Sequence, residues 1–190
     1  LGQSAISGFV VKNYEELGWC LDKFPDREII TDHNLYTYND YAVNAYHELN
    51  ISLDTMPLEL NGREIARRSN ADTEMIVYGY YPLMTSAQCV HRNSSKCDKC
   101  KQITYLKDRY NKLFPVKNMC NECYNVIYNT LPTMLFNDIA RLKESKIHNL
   151  RLMFTVEDAA ETREILSYFE NPSLKRRGEF TNGHYKRGVE

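Results

Sequence analysis

The chain has 190 residues, 43% of them hydrophobic and 26% charged, and 24 Lys and Arg against 25 Asp and Glu give a formal net charge of -1. That is ordinary globular composition with enough length to bury a real core, which argues against intrinsic disorder. A pI near 6.6 leaves no global nucleic-acid or membrane footprint. No apolar run reaches membrane-spanning length, so contact with RNA would have to use a local basic island, 96–117 or 175–187.

The opening Ile6-Ser-Gly-Phe-Val-Val11 reads as a strand, and the Leu-Gly start reads as a piece of a longer protein. Asn13 is placed to cap a helix whose Leu17, Leu21 and Phe24 fall at helical spacing before Pro25-Asp26. Glu28–Thr31 is a short strand that runs into Asp32-His33-Asn34. Asn39 caps a second helix, Tyr41–Leu49, with Ala42, Ala45, Tyr46 and Leu49 on one face. Ile51-Ser-Leu53 is the next strand, Asn61 precedes a short helix over Arg63–Arg68, and Thr73–Tyr78 is a further strand. After a cysteine-rich stretch, Pro132 sits near the first turn of a helix that ends at about Ser145. Leu150–Thr155 is a strand and Glu157–Phe169 a helix, stopped by Asn171-Pro172.

Strands alternating with helices predict repeated βα units on a parallel sheet. A closed (β/α)8 barrel takes about 250 residues, so the expected fold is α/β: a partial TIM-barrel-like parallel sheet with a cysteine-rich, metal-binding insert. The expected division is 1–179 for this domain, with the insert at 85–129, and 180–190 for a tail. An open parallel edge exposes unpaired backbone groups, so the fragment is expected either to pair its edge with another copy, a self-association, or to twist that edge under a helix.

Five of the six cysteines lie between Cys89 and Cys123. Cys97 and Cys100 form one C-x2-C pair and Cys120 and Cys123 another, a spacing that lets two thiolates from one turn reach one zinc ion or iron–sulfur cluster. The spacing C-x2-C-x19-C-x2-C alone describes a zinc ribbon, and Cys89 adds a fifth candidate to a site that usually takes four. Cys20 stands apart and no secretory signal is present, so the thiols predict a reducing cytoplasm rather than a disulfide framework. Between the pairs, Tyr105–Val116 reads as a β-hairpin turning over Asp108–Lys112.

In α/β folds chemistry collects where strands hand over to the following loops. His33, Glu59 and Glu157 occupy such positions and are the candidate acid–base residues. Arg151 interrupts an otherwise apolar strand, and a buried guanidinium demands a carboxylate or an anionic ligand. In the tail, His184, Lys186 and Arg187 lie between Gly183 and Gly188. They suit an anion that Arg187 and Arg151 would grip, a substrate carboxylate or an RNA phosphate. The chain has no G-x-S-x-G elbow and no H-E-x-x-H helix.

Glu74-x-Ile-x-x-Gly79 followed by Ala87-x-Cys89 resembles the signature of the collagenase-like U32 peptidase family, with Pro82 at its first cysteine position and Ala87 at its second glycine. Tyr81-Pro-Leu-Met84, Tyr105-Leu-Lys-Asp-Arg109, Phe114-Pro-Val116 and Cys123-Tyr-Asn-Val-Ile-Tyr-Asn129 are similar to one of its subgroups. The tail Gly183-His-x-x-Arg-Gly188 resembles its closing motif. The resemblance implies the C-terminal portion of the family's barrel-like domain, with Cys89, Cys97, Cys120 and Cys123 as metal ligands and Cys100 spare. It also implies either peptidase chemistry or, as in relatives that carry 4Fe-4S clusters, participation in hydroxylating RNA bases or small molecules. A third expectation is a non-catalytic substrate-binding domain with structural zinc. RNA, an anionic small molecule or a peptide is the expected partner, and the longer parent, rather than this fragment, is the expected catalyst.

Overall fold

A computed structural model of the chain describes residues 6–94, 99, 102–171, 173–174 and 178–189. Cys97, Cys100 and Pro172 lie outside the described residues. In chain order the elements are β1 (Gly8–Val11), α1 (Tyr14–Lys23), β2 (Glu28–Thr31), α2 (Asp40–Glu48), β3 (Leu53–Thr55), α3 (Gly62–Ile65) and β4 (Thr73–Gly79). There follow β5 (Pro82–Ser86), α4 (Val90–Ser94), β6 (Thr104–Lys107), β7 (Leu113–Met119), β8 (Tyr124–Tyr128), β9 (Thr133–Met134), α5 (Ile139–Glu144), β10 (Asn149–Met153) and α6 (Ala159–Glu170). The fold is mixed α/β, with one parallel-containing sheet and one separate antiparallel sheet. The chain divides into two compact units: Leu1–Val77 with Asn137–Arg151 and Asn182–Glu190, and Tyr78–Phe136 with Leu152–Thr181.

In the first unit the strands lie in the order β1-β2-β3-β4-β10, and β1·β2, β2·β3 and β3·β4 pair parallel. Asn13 and Asn39 cap α1 and α2 as their sequence positions predict, accepting from the Glu16 and Ala42 amides at 2.7 and 3.0 Å. The apolar side of α1 buries Leu17 and Cys20 with Val11, Ile29, Leu35, Tyr46 and Ile51 in one cluster. Cys20 is thus a core thiol, and burial, helped by Glu16, pushes it above its ordinary value. Gly8 is required at the β1·β2 pairing, because a Cβ there would stand 2.4 Å from the Glu28 carbonyl oxygen.

Two side-chain rows follow from the register. Val11, Thr31, Asp54 and Thr73 are aligned across the sheet, and two residues in this row are bound by a buried polar network. The Asp54 carboxylate accepts from Thr37, from Thr73 at 2.7 Å and from Arg68, whose side chain is 1% exposed. Arg68 also donates to Asn70 at 3.0 Å and to Thr73 at 3.1 Å. The other face carries Val10, Ile30 and Leu53, and one pleat further on Asp32, Thr55 and Glu74.

The second unit holds the antiparallel sheet, in the order β5-β8-β7-β6. The expected hairpin is present: β6 and β7 pair from Thr104↔Val116 to Lys107↔Leu113, and Asp108 accepts from the Tyr110 and Lys112 amides at 2.8 Å. β4 matches the strand expected over Thr73–Tyr78, and β5 after it belongs to the antiparallel sheet. Gly79 ends β4, and a Cβ there would meet the Met153 carbonyl oxygen at 2.8 Å.

Three expectations shift. The third strand begins at Leu53, because Ile51 is spent in the core cluster. The helix predicted from Pro132 begins only at Ile139: Met134 N–H donates to the Thr181 carbonyl and Thr181 N–H to the Pro132 carbonyl, both at 2.9 Å, which holds 132–134 extended. The strand at 150–155 ends at Met153, and its following helix is capped by Asp158 in a capping box with Glu161. Among the described residues no helix is long and apolar enough to cross a membrane.

Candidate functional site

In the first unit the polar row at the ends of β2 and β3 converges on one cation. Arg151, in β10, donates from Nη1 to Asp32 Oδ1 at 2.7 Å, and from Nη2 to Thr55 Oγ1 at 3.1 Å and to Glu74 Oε1. Thr55 in turn donates to Glu74 Oε1 at 2.7 Å. The guanidinium is 21% exposed and its two carboxylates 8% and 12%, so this is a largely desolvated three-centre ion pair. The demand that the sequence places on Arg151 is met by the protein itself.

His33 follows Asp32 directly and donates its backbone N–H to Asp32 Oδ1 at 3.0 Å. Burial would raise the Asp32 carboxyl, but His33 and Arg151 outweigh it and hold the group below the usual carboxylate range. Burial pulls the His33 imidazole below its ordinary value, Arg151 and Lys12 add to this, and Asp32 and Glu59 oppose it without reversing it. Near neutral pH the ring is therefore neutral, with one nitrogen able to accept a proton. Glu59 completes the group, accepting from the Tyr38 hydroxyl, whose proton burial and Glu59 together hold more tightly than usual. Of the residues singled out in the sequence, His33, Glu59 and Arg151 are brought into one cluster. Thr55 and Glu74 were missed as its members, because parallel register between distant segments is not a local signal.

Glu157 stands in the second unit. One carboxylate oxygen accepts from the Thr155 and Val156 amides at 2.7 and 3.0 Å, while the other is buried without a partner among the described residues. Its charge helps raise the Tyr128 phenol, after burial and Tyr124. Lys117 Nζ donates to the Thr155 carbonyl at 3.0 Å beside it.

The cysteines also belong to the second unit. Met119↔Tyr124 closes the β7·β8 pairing, so Cys120-Asn-Glu-Cys123 is the tight turn between these strands, with Cys123 left-handed at φ 58°. Antiparallel β5 ends where β8 begins, at Ser86↔Asn125. There the fully buried Asn125 amide donates to the Gln88 carbonyl at 2.8 Å and the Ser86 carbonyl at 3.3 Å, which fastens the backbone leading into Cys89 beside that turn. β6 starts opposite the middle of β7, where Thr104 faces Val116, with the chain before it on the side of the Met119 end. Cys89, Cys120 and Cys123 therefore lie toward one end of one sheet. Cys20, Cys89, Cys120 and Cys123 stand as thiols. Among the described residues no three His, Cys, Asp or Glu side chains form a group that could hold a metal ion; Cys97 and Cys100 are outside that description.

No protein-family model, curated protein or solved structure matches this chain.

The tail docks within the first unit. Gly62 N–H donates to the Tyr185 carbonyl at 2.8 Å, and Gly188 N–H to the His184 carbonyl at 2.7 Å. His184 Nδ1 lies 3.0 Å from the Gly188 carbonyl, so this ring closes the turn it belongs to. Arg187 and Lys186 line a cavity of about 560 Å³, and Arg151 is not among its lining residues.

Proposed function

We propose that this chain is the C-terminal portion of a barrel-like βα domain bearing a cysteine-ligated iron–sulfur centre, and that its parent acts in oxidative hydroxylation of RNA or of an anionic small molecule. The observation that carries the reading is the gathering of the cysteine segments at one end of the antiparallel sheet. Cys120 and Cys123 sit on one tight turn, and the Asn125 amide holds Gln88, the residue before Cys89, at the same end of the sheet. The three thiols are not drawn together into a metal-holding group by themselves, but soft sulfur is the donor type such a centre takes. Cys97 would be the fourth ligand. A cluster held there supplies electron transfer; the chain's own part is to orient the thiolates and to hold their backbones, through Asn125 and the β7·β8 pairing. The three consecutive parallel pairs, each separated by a helix, support the partial-barrel reading. The four described cysteines stand as thiols, which supports a reducing compartment, the cytoplasm.

Iron, zinc and acid-labile sulfide are to be quantified in anaerobically purified protein. Iron and sulfide in equal amounts are expected. Zinc without sulfide would instead make the cysteine end a structural clip and remove the oxidative chemistry; neither metal would refute the centre altogether.

A hydrolase is the second reading, and the neutral His33 beside Glu59 and Asp32 favours it. An imidazole of this kind can take a proton from water or a hydroxyl. Peptide turnover by the longer parent that is lost in His33→Gln, with metal content unchanged, would select it.

A further inference from the structure

The C-terminal tail holds cations together for which the protein supplies little countercharge. The cavity against which it docks is lined by Arg63, Arg141, Lys186 and Arg187, with Glu144 the one carboxylate in the lining. Arg141 is 3.7 Å from Asp138, and the remaining three cations have no ion pair among the described residues. Four like charges around one hollow repel one another, and an arrangement of that kind is stabilised by an anion bound between them.

The docking that creates this arrangement is specific. Asn61 caps α3 in a capping box with Glu64, and the next amide, Gly62 N–H, is given to the Tyr185 carbonyl. A Cβ on Gly62 would stand 3.3 Å from the Tyr185 ring, so glycine lets that ring approach the turn closely. Gly188 has φ of 74°, and a Cβ there would meet the Asn61 side chain at 2.9 Å. Two glycines and one backbone hydrogen bond thus fix Lys186 and Arg187 over Arg63 and Arg141. Tyr185 lines the same hollow, and burial, with Asp138 and Glu144, keeps its phenol protonated and able to donate.

We propose that this cavity is a phosphate-binding site, assembled when the tail docks on the Asn61–Gly62 turn. Its volume suits a phosphorylated molecule of mononucleotide size. The guanidinium groups supply paired donors for phosphate oxygens, which an ammonium alone does not. The site is independent of the cysteine centre and stands or falls separately from it. The phosphate can belong to a small molecule or to the backbone of a nucleic acid, and the two differ in what competes.

The test is calorimetric titration of the full chain with inorganic pyrophosphate at low salt, with a random-sequence single-stranded RNA 12-mer as competitor. Saturable pyrophosphate binding is expected, weakened about tenfold by Arg187→Gln and again by Lys186→Gln, as for the loss of a charge-assisted hydrogen bond. Displacement by the 12-mer would assign the phosphate to a nucleic-acid backbone, and lack of displacement to a small molecule. Gly188→Ala, which leaves every cation in place but strains the docked turn, is expected to weaken binding to a similar degree. No saturable binding, or binding indifferent to all three substitutions, would overturn the proposal.

Discussion

Replacing Arg151 with methionine tests the three-centre ion pair directly. The substitution keeps an apolar stem and removes the guanidinium that faces Asp32, Thr55 and Glu74. Breaking a buried pair by deleting one partner costs about 3–5 kcal/mol, because the remaining charge is left desolvated. With Arg151 one-fifth exposed, the low end, about 3 kcal/mol at pH 7, is expected. The loss depends on pH. Asp32 has a folded pKa below its unfolded value, so its contribution is fully present above about pH 4 and is lost as pH falls through the folded pKa. The gap between the two proteins should therefore narrow only as pH falls below about 4 and through the folded Asp32 value. His33 is also depressed in the folded state, so it contributes stability that is present above about pH 6.5 and is lost below it. Removing Arg151, one of the groups that push it down, should raise its titration midpoint. Urea unfolding from pH 3 to 7, with His33 followed by NMR, measures both effects. Equal stability at pH 7, or a gap that stays constant across the range, would refute the ion pair.

Asp54→Ala leaves the 1% exposed Arg68 guanidinium without its carboxylate and should cost at least about 3 kcal/mol in urea unfolding; a loss under about 1 kcal/mol would contradict the buried network. Cys89→Ser should abolish metal binding and Cys100→Ser should not, read by metal content per chain. The reverse result would restore the ribbon quartet of Cys97, Cys100, Cys120 and Cys123. Chelation followed by limited proteolysis should open the chain first between Val90 and Lys117, since few large apolar groups hold that segment without metal; first cuts in α1 or α2 would contradict this.

The first unit was largely legible because its signals are local. Asn13 and Asn39 cap where their spacing to the following apolar positions places them, and Glu28–Thr31 is bounded by a turn on one side and Asp32 on the other. The Tyr105–Val116 hairpin was legible because Asp108 is a turn former between two extended arms. Pairings made at long range were not. β9 is fixed by Thr181, about fifty residues away, and overrides the helical start that Pro132 suggests. The antiparallel partnership of β5 with β8 joins segments about forty residues apart, and the Asn125 contacts at its end are not revealed by any periodicity. At the candidate site His33, Glu59 and Arg151 could be singled out by type and position, but Glu74 becomes Arg151's partner only through the Thr55↔Glu74 register. The tail's glycines and cations were visible, whereas Arg63 and Arg141 join them only through docking on the Asn61–Gly62 turn.

The most direct measurement is X-ray absorption at the metal edge of anaerobically purified protein. The account predicts iron with a first shell of sulfur alone and an iron neighbour beyond it, both lost in Cys89→Ser and Cys123→Ser. A first shell of nitrogen and oxygen, or a spectrum that survives both substitutions, would contradict a cysteine-held cluster at this end of the sheet.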